Sequence, residues 1–334
     1  MDKTVTFGEV LMRLSPEGYK KISQSNKLEF YFGGTEMNVG ASLANFGNEV
    51  KHVTCVSDDI VGQAAIGTMK RYGINTSGVV KRNAPLGLYF LEVGAVMRSS
   101  TIAYNRAHSA FAGIQPEMVN WEEIMEGAGW FHWTGITPAI SEGAWLTLQE
   151  GLKQARKNGM NVTADPTYRK DLWNYGKDAR RILTDMLEYS TIFIGGVNEI
   201  NEILGTTHTS DKDGFTEAAK ELLERFPSIT KVFDKVRNGG NASSQKISAR
   251  AWNGEEYLET EALEVAHVVD RIGTGDAYAA GLIYGLQHFD DRKTIAFANA
   301  ACALKHTIEG DVNLVSVAEV LEVVEGNISG RIKR

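Results

Sequence analysis

Val268-Val269-Asp270-Arg271-Ile272-Gly273-Thr274-Gly275-Asp276-Ala277-Tyr278-Ala279-Ala280-Gly281 sets an aspartate directly after a Gly-Thr-Gly triplet, where a run of small residues begins. That pattern predicts a helix starting at the triplet. The first N–H groups of a helix lack internal partners and carry about half a positive charge, so they attract anions. A carboxylate beside them can take a proton from a hydroxyl while the amides hold charge on a moving phosphate. The same residues also read as a Gly-rich turn with Asp276 as a helix N-cap. Both readings stand on this stretch alone.

Past residue 110, short apolar runs alternate with helical stretches. Strands are expected at Gly129–Trp133, Met160–Ala164, Thr191–Gly195 and Thr230–Lys235. Helices are expected at Ser141–Lys157, Ala179–Tyr189, Phe215–Arg225, Thr294–His306 and Val317–Glu325. This alternation predicts an α/β fold of parallel βα units with helices on both faces, and ligands at the carboxyl ends of the strands. Before residue 110, Leu86–Met97 and Ser99–Asn105 alternate polar and apolar residues as an antiparallel hairpin does. We read residues 11–35 and 85–110 as a small β-layer, and residues 1–10, 36–84 and 111–334 as the α/β core.

The 334 residues carry a net charge of −7, which argues against nucleic acid or an anionic membrane surface as partner. Only Cys55 and Cys302 are present, so no disulfide framework or metal-type cysteine spacing is expected. No apolar run approaches the roughly 20 residues that span a bilayer, and a cytoplasmic protein is the expectation.

Further polar clusters fall at strand ends and loops. Gly33-Gly34 opens a helix on which Asn38, Ser42 and Asn45 share a face, either a ligand-facing row or a solvated stripe. Tyr104 and Arg106 share a face, which suits a carboxylate or polyhydroxyl ligand, or a simple stacked pair. Asp165 through Trp173, including Thr167 and Arg169, follows one strand, and Asn198-Glu199-Ile200-Asn201-Glu202 follows the next. Carboxylates at a strand end can hold Mg²⁺ through its waters, or merely favour a helix dipole. No P-loop pattern occurs, and no dinucleotide fingerprint follows the first strand, which counts against an NAD-dependent dehydrogenase.

In order and spacing these clusters resemble the ribokinase-like (PfkB) carbohydrate kinases, and within them the 2-keto-3-deoxygluconate kinases. Asp270-Arg271-Ile272-Gly273-Thr274-Gly275-Asp276 is similar to the family's D-T-x-G-A-G-D signature. The resemblance implies a three-layer α/β/α core with a mostly parallel sheet and a β-sheet lid, the lids often pairing into dimers. It implies ATP and Mg²⁺ as cofactors, and phosphorylation of 2-keto-3-deoxygluconate to its 6-phosphate. Asp276 would be the base and Gly273, Thr274 and Gly275 the anion hole. Gly34, Asn38, Tyr104, Arg106, Arg169 and Asp311 would face the sugar acid. Thr167, Lys235, Arg237, Gly239, Gly240 and Asn299 would face the nucleotide, with Glu199 or Glu202 at the metal. Fructose, ribose or another keto-deoxy acid is the alternative acceptor, and a non-catalytic sugar-binding protein the alternative role.

Three departures from the family pattern stand out. Asn201 replaces the Glu of N-x-x-E, and Thr167 stands where many relatives have Asn. Lys235-Val236-Arg237-Asn238-Gly239-Gly240 lacks the usual T-x-G-x-x-G loop.

Overall fold

The computed structural model describes residues 3–168, 172–328 and 330. The chain opens with β1 (Lys3–Phe7), β2 (Leu11–Ser15) and β3 (Glu29–Gly33), then a helix at Thr35–Asn45. Next come β4 (Val50–Ser57), β5 (Val79–Arg82), β6 (Gly87–Glu92) and β7 (Thr101–Asn105). After these, β8 (Ala128–Thr134), β9 (Asn161–Asp165), β10 (Ile192–Ile194) and β11 (Lys231–Gly240) alternate with helices. The last strands are β12 (Gln245–Trp252), β13 (Tyr257–Glu259) and β14 (Leu263–Val265). Helices at Thr274–His288, Asp291–Lys305 and Val317–Val324 close the described chain.

The large sheet runs β13-β12-β11-β10-β9-β8-β1-β4-β5, with β14 also on β12. From β5 to β11 every neighbour is parallel, while β12, β13 and β14 join antiparallel. Successive strand side chains point to opposite faces, so each parallel strand feeds two cores. Phe193 packs on one side with Phe131, Leu148 and Leu222; Ile192 and Ile194 pack on the other with Phe233, Leu282 and Phe297. Helices cover both faces.

The second sheet runs β3-β2-β6-β7, parallel between β2 and β6 and antiparallel elsewhere. Leu11, Arg13 and Ser15 on β2 are buried, whereas Met12 and Leu14 between them are only partly so. The carboxyl end of β1 leads into this sheet within three residues, so the sheet stands beside the strand ends where a ligand would sit.

One strand departs from the sequence reading. The strand expected to end at Lys235 runs on to Gly240, because Lys235, Arg237 and Gly240 pair across to Ala249, Ile247 and Gln245. The register shifts between Arg237 and Gly240, where Gly239 and Gly240 adopt φ of +72° and +110°. The expected nucleotide loop is therefore the end of a β-hairpin, its turn lying at residues 241–244. Cys55 and Cys302 are free and buried, and no described helix is long and apolar enough to cross a membrane.

Candidate active site

The Thr274–His288 helix begins as expected, but its cap is not Asp276. Gly273 is the N-cap at φ +78°, a left-handed conformation that favours glycine, and a Cβ there would lie 1.8 Å from the Asp311 carbonyl oxygen. Asp276 falls in the first helical turn, and its carboxylate accepts a hydrogen bond of 2.7 Å from Asn38 Nδ2. Burial raises its pKa to about 7, opposed by the Asn38 hydrogen bond and reinforced by the charges of Asp165 and Glu36. A carboxylate so placed exchanges its proton near neutral pH, as a general base should.

Asn38 is therefore not on a solvated stripe. It is buried, its carbonyl accepts from Ser42 Oγ, and Asn45 Nδ2 donates to the Val315 carbonyl. Asn38 and Asn45 tie the Thr35–Asn45 helix to its surroundings, while Ser42 bonds within it. Gly34, the N-cap of that helix, is demanded by crowding, since a Cβ would lie 2.0 Å from the Glu9 carbonyl oxygen.

Asp276 opens onto a cavity of about 1200 Å³ at the strand ends. Gly34, Asn38, Tyr104, Arg106 and Asp311 line it, as do Thr167, Lys235 and Arg237, with Gly273, Thr274 and Gly275 also among its walls. Arg106 stacks 5.5 Å from the Tyr104 ring centre, and it also pairs with buried Glu9 through Nε (2.7 Å) and Nη2 (2.5 Å). Nη1 has no partner among the described residues. Burial lowers the pKa of Lys235, whose ammonium lies 3.4 Å from where a Cβ on Gly275 would sit.

Several expected residues are not brought together here. Asn299 is buried away from the cavity, donating to Thr260 Oγ1 and to the Ile247 and Glu261 carbonyls, and so pins the sheet edge. Gly239 and Gly240 lie beyond the cavity walls, in the hairpin. Glu202 is exposed and lines no part of the cavity. Glu199 accepts from the Gly196 N–H, and its pKa is raised by burial and by Asp165 and Asp234. Asn201 bonds Thr206 and His208, a structural role that accounts for its departure from Glu. Arg169 lies outside the described residues.

The sequence reading missed a buried network that joins the small sheet to the loops carrying Asp270 and Asp311. Arg13 Nη1 donates to Asp270 (2.6 Å) and to Asp311 (2.9 Å), while the Tyr89 hydroxyl donates to the other Asp311 oxygen (2.5 Å). Burial alone would lower the Arg13 pKa, but the two carboxylates hold it above its ordinary value. Asp270 also accepts from the Ile272 and Gly310 N–H groups, which shapes the loop before the anion hole. Glu36 was missed too. It accepts from Thr134 and Thr137, with burial raising its pKa to about 7. Both clusters join residues about a hundred or more positions apart, with no local sequence signal.

The sequence pattern of the pfkB family carbohydrate kinases matches residues 1–316. This chain belongs to that family. It is a sugar kinase, and kinases of the family use ATP. A 2-dehydro-3-deoxygalactonokinase from Haloferax volcanii is 30% identical over 98% of both chains. A crystal structure of a 2-dehydro-3-deoxygluconokinase from Thermotoga maritima superposes with a TM-score of 0.93 at 35% identity, over 98% of this chain and 100% of that one. A 5-dehydro-2-deoxygluconokinase from Clostridium perfringens is 28% identical over 90% of this chain and 86% of its own. The pfkB pattern bears out the family expected from the signature, and the parallel sheet with its small companion bears out the expected fold class.

Proposed function

We propose that this kinase transfers the γ-phosphoryl group of ATP to the C6 hydroxyl of 2-keto-3-deoxygluconate. The observation that carries the proposal is Asp276: a carboxylate with raised proton affinity at a helix start, between an acceptor side with Arg106 and a donor side with Lys235 and Arg237. Asp276 takes the hydroxyl proton, and the Gly273, Thr274 and Gly275 amides meet the charge spread over the phosphoryl oxygens. Arg106 Nη1 and Tyr104 meet the sugar-acid carboxylate, with Arg169 as second cation. The small sheet acts as a lid that keeps water from the phosphate.

Mg²⁺ asks for one or two carboxylates, the rest of its shell being water and phosphate. No group of three acidic, His or Cys side chains forms a cage among the described residues, so the fit is a water-mediated one through Asp165 on the cavity wall, with Glu199 near enough to feel its charge. Such an ion would neutralise phosphate charge.

The galacto epimer is the competing acceptor, favoured by the Haloferax volcanii relative. ADP release should be measured over both keto-deoxy epimers, fructose, ribose and a nucleoside. A keto-deoxy acid is expected to be preferred, with Asp276→Asn lowering kcat about 100- to 10,000-fold. Equal turnover of fructose and the sugar acids would sink the carboxylate argument, and full activity of the variant would sink the base.

A further inference from the structure

Arg271 stands where the family signature usually carries a threonine. It lines both the main cavity and an adjoining cleft of about 280 Å³, and Arg237 does the same. The buried arginines Arg13 and Arg250 hold Asp270 with Asp311 and Asp234, and partly buried Arg106 holds Glu9, whereas Arg237 is exposed and Arg271 partly buried, both open to a ligand. Among the described residues, neither Arg237 nor Arg271 pairs with a carboxylate. Instead they face each other's charge across Thr274, whose Oγ1 accepts from Arg237 Nη2 (3.4 Å) and donates to the Arg271 carbonyl (3.0 Å). Burial and the Arg237 charge both lower the Arg271 pKa. Two neighbouring cations without a carboxylate, in a chain of net charge −7, are stabilised when an anion sits between them.

The cleft also has a roof. Gly94, Ser99 and Ser100 of the β6–β7 connection line it. That connection is held over the β11–β12 turn by Ala242 N–H donating to the Val96 carbonyl (2.9 Å) and Val96 N–H donating to Ser243 Oγ (2.9 Å). Val96 itself sits at φ +51°, an uncommon conformation for a β-branched residue, so these contacts hold the roof in place. Gly34, Tyr104 and Arg106, on the acceptor side, do not line this cleft.

We propose that Arg271, together with Arg237, clamps the polyphosphate of the phosphoryl donor where it passes from the Gly273–Gly275 amides into the roofed cleft. The assignment rests on the kinase reading above and names a donor-side residue that the signature alone does not predict. Arg271 bonds no other side chain among the described residues, so its replacement should leave the fold intact.

The test is calorimetric titration of Mg·ATP and of inorganic tripolyphosphate into the unaltered protein, Arg271→Thr and Arg271→Lys, alongside ADP-release kinetics. Arg271→Thr is expected to weaken both ligands about tenfold or more and to raise KM for ATP in proportion, as loss of a charge-assisted contact should. KM for the sugar acid should stay unchanged, and Arg271→Lys should restore part of the loss. Unchanged ATP and tripolyphosphate affinity in Arg271→Thr would overturn the proposal, as would a loss confined to the sugar acid. Failure of the kinase reading shows separately, as no ADP release by the unaltered protein with any acceptor.

Discussion

Asp276 and Asn38 lie 238 residues apart, and the bond between them lowers the proton affinity that burial gives the proposed base. Burial disfavours the carboxylate charge and Asn38 partly offsets this, leaving the pKa at about 7. With Asp276 as base, kcat/KM rises with pH through about 7 as its proton leaves. Removing the Asn38 donor favours the protonated form, so Asn38→Ala should move this acid limb to higher pH and lose more activity at pH 6.5 than at pH 8.5. A pH–rate profile of the two proteins checks the sign; a limb that stays put would separate Asn38 from the base. Of these two residues, Asp276 was singled out in the sequence by its Gly-Thr-Gly neighbours, with a catalytic and a capping reading both open. Asn38 was visible only as one of a row with two readings, because what it faces depends on a helix far along the chain.

The Thr274–His288 helix owes its position to one glycine. Gly273 supplies the left-handed turn, and its missing Cβ lets the Asp311 carbonyl approach. Gly273→Ala must both strain φ and push that carbonyl aside. It should lower the unfolding midpoint by several degrees and kcat by at least tenfold, since the amides proposed as the anion hole move with the cap. Calorimetry and ADP-release kinetics would show this; retention of both would mean that the loop absorbs the change. The helix start was readable from composition, yet Asp276 as cap stayed open beside the catalytic reading, because Asp and Gly both occur at N-caps and only the backbone geometry distinguishes them. The β11 strand shows the converse. Its extension through Arg237 to Gly240 carries two glycines that argue against a strand locally, and pairing with β12 overrides that preference.

At the scale of the whole molecule, Arg13 fastens the small sheet to the active-site loops by reaching two carboxylates at once. Its loss would leave both buried without their cation. Arg13→Leu should therefore destabilise the protein by about 3–5 kcal/mol, measured by urea unfolding, a cost far above that of an exposed pair. A change below about 1 kcal/mol would show that the carboxylates find water or protons instead. The sequence by itself determined the α/β class, the helix start at Gly273 and the residue types of the chemistry, because strand and helix periodicities and glycine spacing are local properties. It could not determine that Arg106 is shared with Glu9, that Arg13 bridges Asp270 and Asp311, or that Asn299 serves the sheet edge rather than the cavity. Those outcomes depend on which charges meet when distant segments pack. The Gly273-Thr274-Gly275-Asp276 turn was readable as a helix start because that pattern lies in its own backbone, whereas a side chain acquires its partner only from the tertiary fold.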